Sequence, residues 1–180
     1  KIYGPKQSGC LYVRAGVDVV PFVLGGGQES GLRSGTENVG SQIAFATMLQ
    51  KVQSIRKAEQ HRLQQISKVF YATISQKYPE IYVNGDEKKR LPNNLSITIP
   101  GADGERLLME LDNAGVMVAT GSACTASNDK PSHVLLALGL NERDASSTIR
   151  ITFGAQTAEL EAVEAARRFL DVLETHVRLV

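Results

Sequence analysis

"NLSITIPGADGERLLMELDNAG", residues 94–115, contains the change of period that decides the fold. Over 94–99, Leu95, Ile97 and Ile99 alternate with Ser96 and Thr98. That is the period-two pattern of a strand with one face against a core. From Asp103 onward the spacing changes. Leu107, Leu108 and Leu111 fall on one side of a helix, Asp103 stands where an N-cap acceptor belongs, and Gly115 can stop the helix. A strand passing so quickly into a helix belongs to a layered structure of both.

Working outward, the same reading continues in both directions. "VMVA" (116–119) and "STIRITF" (147–153) read as strands, and "TAELEAVEAARRFLDVLETHV" (157–177) as an amphipathic terminal helix. Pro131 suits the first turn of a helix through Leu138, closed by Gly139. Upstream, "YPEIYVNGDEKKRLPN" (78–93) is a boundary with an Asn-Gly turn signal. From Asn38 to Tyr78 the apolar residues Ile43, Met48, Val52, Leu63, Ile66, Phe70 and Ile74 predict one bent helix or two consecutive ones. "LGGGQESGLRSGTEN" (24–38) is a loop by its backbone chemistry, and "GCLYVR" (9–14) reads as a short strand. The fold class is α/β, with residues 80–180 one unit and 1–35 the edge of another. The chain opens on Lys1 in what reads as mid-structure, so a piece of a longer protein is expected.

Composition narrows the function. The 180 residues are 42% hydrophobic and 22% charged, an ordinary globular balance. A net charge of +1 gives no electrostatic footprint for nucleic acid, and Glu87-Lys88-Lys89-Arg90 reads as a solvated turn. No apolar stretch is long enough to span a bilayer and no signal-peptide pattern opens the chain. Two cysteines do not make a disulfide framework, so a reducing, cytoplasmic compartment is expected. His61, His133, His176 and the cysteines show no metal-ligand spacing.

Three places could carry chemistry. Cys124, in "ATGSACTASNDKPSHVLLALGL" (119–140), sits among small polar residues and not in an apolar run, which suits a mobile nucleophile as well as an incidental exposed thiol. Cys10, in an apolar run, reads as packed and inert. Arg150, between Ile149 and Ile151, either points inward and needs a carboxylate or phosphate, or points outward into a salt bridge. In the 24–38 loop, backbone N–H groups, Arg33, Ser34 and Thr36 make a phosphate-friendly composition, though most glycine-rich loops are only turns. His133 reads as a capping or structural residue.

Together these segments carry a resemblance. "KIYGPKQSGCLYVR", "GGGQESGLRSGTENV", "PNNLSITIPGADGERLLMELD", "GSACTASNDKPSHVLLALGL" and "STIRITFG" occur in the order found in cysteine desulfurases of the NifS/IscS type, class V aminotransferase-like enzymes that use pyridoxal 5′-phosphate. The resemblance implies the C-terminal part of a fold-type I pyridoxal phosphate enzyme. Residues 1–37 would end the large cofactor domain, 38–79 would connect, and 80–180 would form a small α/β domain carrying the cysteine loop.

It also implies roles. Lys1 matches the lysine that holds the cofactor as a Schiff base, and Thr36 the threonine that reaches the cofactor phosphate of the neighbouring subunit. Arg150 matches the arginine that binds the substrate carboxylate, and Cys124 the cysteine that accepts sulfur. The implied activity converts L-cysteine to L-alanine and leaves a persulfide on Cys124 for a sulfur-acceptor or iron–sulfur scaffold protein, in a homodimer. Gln7, Cys10 and Ser30 depart from the family's usual residues without touching these positions. A selenocysteine lyase or aminotransferase of the same fold is one alternative; an inactive fragment or interaction module is another.

Overall fold

The computed structural model describes residues 1–121 and 131–176, and the chain divides into two units, Lys1–Lys57 and Ala58–Val180. In chain order the elements are α1 (Val39–Lys77), β1 (Tyr82–Val83), β2 (Asn94–Thr98), α2 (Gly104–Asn113), β3 (Ala119–Thr120), α3 (His133–Ala137), α4 (Glu142–Ser146), β4 (Thr148–Thr152) and α5 (Glu159–His176). The mixed α/β class expected from the sequence is the class observed. No described helix is long and apolar enough to cross a membrane.

The first unit holds a single turn of 3-10 helix at Gln28–Gly31 and the start of α1. Residues 9–14, expected as a strand, form none. A strand is made by hydrogen bonds to a neighbour, and no described strand in this unit offers an edge. Leu11 and Tyr12 are accordingly exposed. Cys10 is exposed with them and is not the packed thiol its apolar neighbours suggested.

α1 is one helix of 39 residues, which settles the choice between one helix and two. Asn38 starts it: its side-chain Oδ1 accepts from the Ser41 N–H at 3.1 Å. Pro79, two residues past its last turn, stops it. Within the second unit its buried residues Leu63, Ile66, Phe70 and Ile74 lie at helical spacing on one face. Phe70 meets Phe153 and Phe169 edge-on, with ring centroids 5.5 and 5.8 Å apart. Arg62 pairs with Glu59 and also donates to the Gly154 and Thr157 carbonyls, fastening the turn after β4 to α1. The Arg62 hydrogen bond holds the Glu59 carboxyl below the ordinary glutamate value.

The sheet is antiparallel throughout, in the order β1-β2-β4-β3. Leu95 and Ile97 of β2 face the same core as Ile149 and Ile151 of β4, whose Cα positions pair across the ladder. α1, α2 and α5 contribute most of the remainder of that one apolar cluster, and Ile81, Ile99, Ala102, Val116 and Phe153 of the connections complete it. An antiparallel sheet of this kind packs one face and leaves the other for polar residues.

The 94–115 stretch folds as its pattern predicts. Asp103 caps α2 by accepting from the Glu105 and Arg106 N–H groups, and Gly115 follows the helix at a φ of +78°. Leu107 and Leu111 are buried, and Leu108 is only half-buried. A side chain at Gly104 would put its Cβ 2.3 Å from the Ser146 carbonyl oxygen. Because backbone must then move, Gly104→Ala is expected to destabilise the protein by about 1–3 kcal/mol, read as a lower urea midpoint with an unchanged slope.

Three local expectations shift. α3 begins at His133 behind its N-cap Ser132, so Pro131 precedes the cap and is not in the first turn. β3 covers Ala119–Thr120, further along the chain than 116–119. α4, capped by the Asn141 side chain accepting from the Asp144 N–H at 2.9 Å, carries too few apolar residues to announce itself.

Candidate active site

The polar face of the sheet is built from alternate positions. In β2 they are Asn94, Ser96 and Thr98, and in β4 they are Thr148, Arg150 and Thr152. The register sets Ser96 opposite Arg150, Thr98 opposite Thr148 and Asn94 opposite Thr152. Ala119 of β3 flanks Arg150 on its other side. The central arginine of the face therefore has only small side chains beside it.

Beneath it runs a chain of hydroxyls. Thr98 Oγ1 lies 3.0 Å from Asn84 Oδ1 and 2.7 Å from Thr148 Oγ1, and Thr148 Oγ1 lies 2.7 Å from the Asp144 carbonyl oxygen. Each hydroxyl has one proton, so the chain is directed toward Asn84 or toward Asp144 at any moment. Asn84 extends the network by donating from Nδ2 to Ser96 Oγ at 3.3 Å, while its N–H donates to the Ser96 carbonyl at 2.9 Å. The Arg90 guanidinium donates to the Asn84 and Asp86 carbonyls, which closes the 84–90 turn on itself. Within that turn Asp86 Oδ1 accepts from the Lys88 and Lys89 N–H groups. Next to the network, burial raises the Tyr82 phenol above its ordinary value.

Over this floor opens a cavity of about 1060 Å³. Asn84, Asn94, Ser96, Thr148 and Arg150 line it from the sheet side, and α3 borders it with His133 and Leu135. Arg150 is exposed toward it, on the face opposite Ile149 and Ile151. Neither expectation for Arg150 describes the outcome fully. The guanidinium is not in the core, and it makes no ion pair with any described residue. A planar fork of donors with no described carboxylate in it is ready for an anionic ligand.

Of the other sequence candidates, His133 also borders this cavity. Lys1 and Thr36 belong to the first unit, where both are exposed. The glycine-rich loop uses part of its donor set on itself. Ser34, which is buried, donates from Oγ to the Gly26 carbonyl at 2.8 Å, and Arg33 donates to the Ser34 carbonyl at 2.6 Å. Glu29 and Ser30 hold left-handed backbone at φ 51° and 57°, a conformation uncommon outside glycine. Thr36 is exposed. His133 is exposed at the first position of α3. Cys124 lies outside the described residues. Sequence reasoning missed Asn84, Asn94, Ser96, Thr98 and Thr148. The signal was present in the polar residues alternating with Leu95, Ile97, Ile149 and Ile151, but only the register shows that the two sets face each other.

Chemically, the described residues supply a primary amine, a hydroxyl on a glycine-rich loop, and an unpaired arginine in a polar cavity. The aminotransferase class-V family model matches residues 1–165. Among curated proteins, the chain is 40% identical over 172 residues to cysteine desulfurase IscS 1 of Archaeoglobus fulgidus, covering 96% of the chain and 44% of that protein. It is 38% identical over 174 residues to cysteine desulfurase IscS of Dictyoglomus turgidum, covering 97% and 43%. Among solved structures, a NifS-like protein superposes with a TM-score of 0.83 at 28% identity, covering 96% of the chain and 44% of the other. A NifS-like protein from Rickettsia africae gives a TM-score of 0.72 at 30% identity, covering 87% and 41%. The chain thus spans less than half the length of the relatives it matches.

Proposed function

The chain belongs to the class V aminotransferase family, and from that premise we propose that it is the C-terminal part of a pyridoxal phosphate-dependent cysteine desulfurase. The observation that carries this reading is the Arg150 guanidinium, unpaired among described residues, over a polar floor inside a cavity that admits an amino acid. Similarity along nearly the whole chain to proteins named cysteine desulfurase supports it. In this reading residues 1–37 end the cofactor domain, 38–79 connect, and 80–180 form the small domain.

The donor chemistry fits the cofactor. An exposed amine at Lys1 can take up an aldehyde, and the hydroxyl of the exposed Thr36 can donate to the cofactor phosphate of the neighbouring subunit. When bound, pyridoxal phosphate supplies an electron sink for bond breaking at the substrate Cα. Arg150 binds the carboxylate of L-cysteine and fixes which substituent of Cα is turned for reaction. Lys1 moves the proton at Cα as general base and acid.

The Cys124 thiolate attacks the substrate sulfur. The new S–S bond forms as the substrate C–S bond breaks, the carbon fragment is reprotonated to L-alanine, and the sulfur stays on Cys124 as a persulfide. A loop of small residues suits a group that must then hand its sulfur to an acceptor protein. The enzyme is a cytoplasmic homodimer that serves iron–sulfur cluster assembly or thio-modification.

The test is stoichiometric. The chain preceded by the upstream half its relatives carry, supplied with pyridoxal phosphate, L-cysteine and a thiol reductant, is expected to release L-alanine and sulfide in equal amounts. Transamination products without sulfide would contradict the reading.

A further inference from the structure

Asn94 Oδ1 is the one buried side-chain polar atom among the described residues that lacks a hydrogen-bond partner. Such an atom forgoes the compensation that nearly every buried polar group in a native protein has, and it requires an explanation. Asn94 lines the same cavity as Arg150. In the ladder Asn94 pairs with Thr152, and Arg150 pairs with Ser96 two positions along. The two side chains are diagonal neighbours on one face, a separation of about 7–8 Å between backbone positions that a long side chain spans.

A guanidinium that takes a carboxylate in its fork still has further N–H groups. Once ligand has displaced water from around them, those protons also need acceptors, or the desolvation cost offsets the attraction. The Ser96 and Asn84 acceptors already receive hydrogen bonds within the network. Asn94 Oδ1 has none. It also carries no charge. A carboxylate at this position would pair with Arg150 permanently and compete with the substrate, whereas an amide oxygen orients the guanidinium and leaves its charge for the ligand.

We propose that Asn94 is the positioning residue for Arg150, its Oδ1 accepting one guanidinium N–H while the rest of the fork holds the substrate carboxylate. The inference rests on the reading of Arg150 as the carboxylate-binding residue, and the experiment separates the two. In the intact enzyme, Asn94→Leu keeps the shape and removes the acceptor. It is expected to raise KM for L-cysteine about tenfold, the effect of one hydrogen bond to a charged group, with kcat little changed.

Its melting temperature should equal or exceed the parent's, because an unpartnered acceptor is removed. Asn94→Asp should raise KM further, by occupying the fork. In an Arg150→Met background, Asn94→Leu should cause no additional loss. An unchanged KM in Asn94→Leu, an equal loss in both backgrounds, or a clearly lowered melting temperature would each overturn the role of Asn94 while leaving that of Arg150 intact. An unchanged KM in Arg150→Met alone would overturn both.

Discussion

Cys124→Ala, in the chain joined to the upstream half its relatives carry, is expected to convert L-cysteine to L-alanine at roughly a thousandth of the parent rate or less. The size of the effect follows from the role. A thiolate that accepts sulfur is a covalent participant, and no described residue of the cavity offers a second thiol: among the described residues the only cysteine is Cys10, in the other unit. Substrate binding should survive, because in the proposed reading Arg150 and not Cys124 holds the carboxylate. The variant is therefore expected to keep the parent's affinity for L-cysteine and lose turnover. Full alanine formation by Cys124→Ala would assign the chain to a lyase or aminotransferase chemistry of the same fold, in which no protein thiol takes part.

Arg150→Met gives the second large effect, and it falls mainly on binding. Removing a charged fork that donates two hydrogen bonds to a carboxylate should lower kcat/KM roughly a hundredfold to a thousandfold. Folding is not at risk in the same measure. Arg150 is exposed and forms no ion pair with a described residue, so its removal orphans no described ion-pair partner. Steady-state kinetics with L-cysteine and with a cysteine ester that lacks the charged carboxylate would check this. The parent should strongly prefer the acid and the variant should not. A preference that persists in Arg150→Met would place carboxylate recognition elsewhere.

The two residues also show what the sequence could and could not convey. β2, α2 and α5 were legible because their patterns are local: alternation over Leu95–Ile99, a cap at Asp103, and helical spacing before the C-terminus. The expected strand at 9–14 failed for the opposite reason. Its alternation was real, but a strand needs an edge to bond, and that unit has none among its described residues. α4 and the two-residue β1 carry too little apolar pattern to be seen at all.

At the site, Arg150 was legible as a charge between two isoleucines, and its side of the sheet then followed from the ladder. The floor around it was not legible. Ser96 and Thr98 lie on β2, Thr148 on β4 and Asn84 just past β1, and hydrogen bonds spanning from 12 to 50 positions in sequence join them. Each of these residues taken alone is an ordinary polar position on a strand or turn. Only strand pairing makes them one network, and only the resulting burial exposes the orphaned oxygen of Asn94.

The central claim is that sulfur from L-cysteine comes to rest on Cys124, and a peptide mass tests it most directly. The chain joined to the upstream half its relatives carry, with pyridoxal phosphate and L-cysteine, is allowed to react without reductant, alkylated, digested, and examined at the peptide containing Cys124. The account predicts one additional sulfur on that peptide, absent when Lys1 is replaced by alanine. Alanine formation with an unmodified Cys124 peptide would contradict it.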